Sequence, residues 1–125
     1  MNGIIFCLVV LSGAAFAQKP PTNAARFFNA RVAPILSKRC LGCHNEELKD
    51  GGISFLDRDS LLKGGSRGPA LVPGKPEESV LIHAVRQEGD LKMPPGAKLS
   101  PQQIATLTEW INRGAPWGTK LRPKR

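Results

Sequence analysis

At 125 residues, with a formal net charge of +8 and 41% hydrophobic residues, the chain is long enough for one small domain. Such a domain has a limited core and gains from a staple, a metal or a cofactor. Three cysteines, one inside an apolar N-terminal run, are too few for a disulfide scaffold, and a basic excess without interleaved aromatics argues against a nucleic-acid partner.

Residues 1–17 read "MNGIIFCLVVLSGAAFA". An uncharged apolar run over 4–11 precedes Ala15-Phe16-Ala17, a small-x-small cleavage site. This is a secretory signal peptide pattern, although the amino terminus is the only positive charge ahead of the run. Cleavage after Ala17 is expected, giving an exported, periplasmic or otherwise secreted protein. The run is too short to remain as a membrane span, and no later run is long enough, so a soluble mature chain is expected. Cys7 leaves with the leader; it sits too deep in the run for a lipid anchor. Cys40 and Cys43 remain.

The domain is expected over 18–117. After a polar lead-in, residues 24–37 place Phe27, Phe28, Val32, Ile35 and Leu36 mostly on one helical stripe. Pro34 should kink or tighten the end of that helix. The stretch "KRCLGCHNEE" follows at residues 38–47, then a turn signal at Asp50-Gly51-Gly52. One or two helical turns are predicted near 57–63, and "GGSRGPALVPG" reads as an ordered loop. In "KPEESVLIHAVRQ", Pro76, Glu77 and Glu78 are helix-start signals, and Val80, Leu81, Ala84 and Val85 form a stripe. A second loop, "EGDLKMPPGAKL", leads to the strongest helix, "SPQQIATLTEWINRG". Ser100 is its N-cap, Pro101 opens it, Gln103 completes a capping box and Gly114 ends it. Ile104, Leu107 and Ile111 form its buried stripe, with Trp110 beside them. The basic tail at 118–125 reads as a frayed, solvated terminus, with weak contact to an anionic membrane surface as a second use. Nothing repeats and nothing alternates like a strand, so the fold class is all-α. Long loops are unusual in so small a domain; they make sense if a large apolar cofactor supplies part of the interior.

Cys40-x-x-Cys43-His44 admits three readings. Structural zinc needs four ligands. Beyond the leader the chain offers these three and His83, and adjacent Cys43 and His44 rarely converge on one small ion. A thioredoxin-like dithiol belongs after a strand, at a helix start; here the motif follows a helix. The third reading, covalent attachment of one c-type haem, fits each residue. Two thiols reach the two vinyl groups on one porphyrin edge, and the next histidine falls beneath the iron. Haem electron carriers commonly take methionine as the second axial ligand. The chain has two methionines, Met1 and Met93, and Met93 lies in "KMPPG", stiffened by Pro94 and Pro95. Met93 is therefore preferred as that ligand, with His83 as the competitor. Arg67 or Arg86 could pair a haem propionate, though solvated arginine is the simpler reading of each. "GPALVPGKP" misses a phosphate loop by spacing and by Pro76. Asp57 and Asp59 flank a basic residue on a surface turn and make no acid/base pair, and no nucleophile has a spare histidine, so no catalytic residue is assigned and the chain is not read as an enzyme.

The ordered blocks "FFNARVAPILSKRCLGCH", "GGISFLDRDSLLKGG", "GPALVPGKPEESVLIHAVR", "KMPP" and "LSPQQIATLTEWINRGAPW" resemble the planctomycete-type cytochrome c domain over about 27–117. The resemblance implies a small all-α cytochrome c-like fold with its first and last helices crossing beside the haem. Cys40 and Cys43 would be the attachment sites, with His44 and Met93 as axial ligands. The expected activity is outer-sphere electron transfer by a monomeric carrier with redox protein partners. Family members often carry the domain at the start of a longer exported protein, so a large exported enzyme joins the expected partners, and a free-standing carrier and a fragment both stay open. The alternative is a haem-binding accessory or sensor module with an open sixth position.

Overall fold

The computed structural model describes residues 22–44, 52–118 and 121. The expected leader, and the expected basic tail apart from Gly118 and Leu121, lie outside them, as do Asp50 and Gly51 of the predicted turn. Among the described residues the regular structure is helical, with α1 (Asn23–Phe27), a π-helical turn (Phe28–Val32), α2 (Ala33–Arg39), α3 (Arg58–Lys63), a 3₁₀ turn (Pro76–Glu78), α4 (Val80–Arg86) and α5 (Pro101–Asn112). The all-α expectation holds for this region.

The first three elements run without a break. Thr22 caps α1, its hydroxyl accepting from the Ala25 amide at 3.2 Å. Of the two outcomes expected at Pro34, a kink or a tightened last turn, tightening is not seen. The turn just before Pro34 widens instead, and the Ala33 amide reaches back to the Phe28 carbonyl. Proline has no amide to give the preceding turn, and a wider turn is one way a helix absorbs that loss. On the buried side, Phe28, Val32 and Leu36 are fully enclosed.

The partner of this face is α5. Ser100 accepts from the Gln103 amide at 3.1 Å, and the Gln103 side chain returns the bond to the Ser100 amide at 2.9 Å. That capping box satisfies two donors that a helix start leaves open. Buried residues of α5 are Thr106, Leu107, Trp110 and Ile111, whereas Ile104 is only partly covered. Trp110 thus belongs to the stripe rather than beside it. Its indole nitrogen can enter because it donates to the Pro116 carbonyl at 2.7 Å. The Phe28 ring lies 5.8 Å from Trp110 and 4.2 Å from Trp117, an aromatic joint between the first and last helices.

The loop between α3 and α4 is ordered by backbone bonds. The Ala70 and Leu71 amides donate to the Leu61 carbonyl at the end of α3, and the Gly74 amide to the Ile111 carbonyl of α5. Buried Ser79 accepts from the Val72 amide and donates to the Lys75 carbonyl. Arg58 ties the start of α3 to the end of α5 through the Gly114 and Ala115 carbonyls. Gly64 closes α3 at φ 70°, ψ −162°, a conformation essentially reserved for glycine. A side chain there would collide with the Gly68 carbonyl and come within 2.7 Å of Pro69 Cα. Gly74 also has positive φ but has open space around it.

These two glycines give a matched test. Chemical denaturation should show Gly74→Ala losing about 1–2 kcal/mol, the cost of left-handed backbone for an L-residue. Gly64→Ala should lose at least twice as much, because strain and collision add.

Candidate functional site

The end of α2 delivers the cysteine motif. The Cys40 and Leu41 amides both donate to the Leu36 carbonyl, and buried Leu41 anchors the turn in the core. The Cys43 and His44 amides then both donate to the Cys40 carbonyl at 3.2 Å. This turn brings Cys40, Cys43 and His44 to the wall of one cleft.

His44 is held from the far side by residues 53–55. The Phe55 amide donates to the His44 carbonyl at 2.8 Å. His44 Nδ1 lies 3.3 Å from the Ile53 carbonyl, which can only accept, so the proton sits on Nδ1. In the neutral ring this tautomer leaves the lone pair on Nε2, the form a metal-ligating imidazole needs. The Phe55 ring packs against the imidazole at 5.2 Å between centroids.

Across the cleft, the Met93 amide donates to the Ala84 carbonyl in the last turn of α4 at 2.9 Å. Met93, Pro94 and Pro95 line the cleft with Ile53, Phe55, Ala70, Val80, Leu81, Ala84, Val85 and Leu91. Counted out to its open mouth, the cleft holds about 920 Å³ of atom-free space. Arg39, Ser66 and Arg67 complete the lining. A second groove, on the outer face of α5 between Arg86, Lys98, Ile104 and Thr108, touches none of the motif residues.

The remaining candidates fall elsewhere. His83 does not line the cleft; its Nε2 faces the Glu77 carbonyl at 2.7 Å and its Nδ1 faces Glu88 Oε2 at 2.9 Å. Arg86 borders the second groove and pairs with Glu77 at 2.9 Å. Arg67 does reach the cleft, with its guanidinium bonded to both Asp90 oxygens at 3.1 Å. The sequence reading missed Arg39 as a lining residue. Its bond to the Ala97 carbonyl at 2.5 Å spans 58 positions, a separation at which no local pattern speaks.

Both cysteines are free thiols. Burial pushes the Cys40 thiol up to about 12, against the opposing charge of Arg39. A zinc ligand or an attacking redox cysteine needs the thiolate. Among the described residues, no three His, Cys, Asp or Glu side chains converge as a metal shell. An apolar cleft lined by two thiols, an imidazole and a thioether has the donor types that suit a large flat apolar group held covalently through its edge and ligated through nitrogen and sulfur.

The Planctomycete cytochrome C family model matches residues 40–96. The match supports a planctomycete-type cytochrome c domain over these residues. The match opens at Cys40 and closes just beyond Met93, so it spans every residue that brings a sulfur or imidazole to the cleft. That family implies haem c binding. No curated protein and no solved structure matches the chain.

The Glu77 carbonyl, first, and Glu88 both hold the His83 imidazolium above its ordinary pKa. An NMR titration should place His83 above the ordinary histidine value, and Glu88→Gln should bring it down. With the folded pKa raised, the associated stability is fully present below the unfolded pKa and is lost as pH rises through the folded one. High salt should shrink the shift, since the group is exposed.

Proposed function

We propose that this protein is an exported, monohaem c-type cytochrome that transfers electrons by an outer-sphere route and folds as a small cytochrome c-like domain. The observation that carries the reading is Met93 standing in the same cleft as Cys40, Cys43 and His44. Haem bound here would supply one-electron chemistry at its iron. Cys40 and Cys43 would hold it through two thioethers. His44 Nε2 and the Met93 thioether would be the axial donors, a pairing that favours the reduced state relative to other ligand sets. The aliphatic walls would keep water from the metal. Covalent attachment of this kind is performed outside the cytoplasm, which agrees with the leader pattern at 1–17. No described helix is long and apolar enough to cross a membrane. Redox proteins would dock by charge, weakly and quickly, at the mouth of the cleft.

Protein made with cytochrome maturation factors should show c-type haem bands that survive denaturation, and Cys40→Ala/Cys43→Ala should release the haem. The methionine-linked band should vanish in Met93→Ala and persist in His83→Ala. Colourless protein with intact thiols would end the haem reading. Rapid carbon monoxide binding by the reduced wild type at neutral pH would replace the carrier with a sensor or accessory module having an open sixth position.

A further inference from the structure

Segment 90–97, which carries Met93, is fastened at both ends by arginines that themselves line the cleft. At its start, the Arg67 guanidinium donates to both carboxylate oxygens of Asp90 at 3.1 Å each, and this pairing holds the Asp90 carboxyl below the usual range. At its end, Arg39 Nη2 donates to the Ala97 carbonyl. Between them, the Met93 amide is fixed to the Ala84 carbonyl. Arg39 directly precedes Cys40, so one clasp joins the cysteine motif to the far end of the methionine segment. The other joins the loop after α3 to its near end. Both arginines are thereby committed to protein acceptors, although either would also suit a propionate.

We infer that Arg39 and Arg67, the latter through Asp90, are positioning residues that clasp segment 90–97 and hold the Met93 sulfur in the cleft. The inference rests on the haem reading above. Planar guanidinium geometry is what makes each clasp directional, and an ammonium would not reproduce it. Asp90 is the informative member, because a carboxylate cannot itself pair with a propionate. An arginine acting on the propionates would leave Asp90 without effect on the axial ligand.

The test is a titration of the oxidised holoprotein with imidazole, an external ligand that competes with Met93, read as loss of the methionine-linked band. Hydrogen exchange at the Met93 amide gives a second readout that needs no axial bond. Arg67→Gln and Asp90→Asn should each raise imidazole affinity about two- to five-fold, the range of an exposed ion pair. The double variant should do no more than either alone, since both break one interaction. Arg39→Gln should raise it about two- to ten-fold, the net worth of one hydrogen bond, and Arg39→Lys should restore only part. The Met93 amide should exchange faster in the same variants. Wild-type affinity and exchange in all of them would overturn the clasp, as would an Arg67→Gln effect that Asp90→Asn does not share. If the wild-type spectrum is itself insensitive to Met93→Ala, the axial assignment fails separately, and amide exchange alone then decides the clasp.

Discussion

A turn by itself does not hold an imidazole ring still. The site depends on the return of residues 53–55 to His44, where the Ile53 carbonyl accepts from Nδ1 and the Phe55 amide donates to the His44 carbonyl. These bonds fix which nitrogen is protonated and in which plane the ring lies. Without them His44 would be one more residue of a partly exposed turn. With them, the imidazole is held among the residues that line an apolar cleft, beside both thiols.

The framework that supports this arrangement is largely separate from the cleft. Phe28, Trp110 and Trp117 join the first and last helices, and Leu107, Ile111, Val32 and Leu36 fill in around them. Long loops suggested that a cofactor supplies missing interior, yet this joint is built from the chain's own side chains. Short α4 is where core and cleft meet. Leu81 and Val85 belong to the buried cluster and also line the cleft, while the Ala84 carbonyl anchors Met93. Any group seated in the cleft therefore packs against a wall already braced from behind, and its burial adds to a standing core.

What the sequence made legible was local. The capping box at Ser100, Pro101 and Gln103, the helical turns near Asp57 and the cysteine motif are all written within a few residues, and each has a direct physical reading. Met93 stood out for a different reason: it is the one methionine of the chain besides Met1. The widened turn before Pro34 was not legible, because proline signals a lost hydrogen bond without saying how the helix absorbs it. Trp110 reads as beside the stripe in the sequence; its burial depends on the Pro116 carbonyl, an acceptor outside the helix pattern. Arg39 and Asp90 were invisible as site residues, since their partners are joined to them by the fold alone. Arg86 shows the converse: a plausible charge near an apolar helix face, which the fold turns toward Glu77 and away from the cleft.

A thioether is a weak, neutral donor on a flexible side chain, and delivering it from a loop ordinarily costs conformational entropy. Here the neighbouring prolines restrict the backbone on one side, and the Ala84 carbonyl holds the Met93 amide on the other. Much of that entropy is already lost in the folded chain, so little remains to oppose ligation. On the haem reading, the same restriction would ease electron transfer, because a ligand that need not move when the charge on a metal changes adds little to the reorganisation accompanying the step. On the haem reading, the long loops are thus less a covering for the cofactor than the means of bringing a distant sulfur to a fixed point opposite His44.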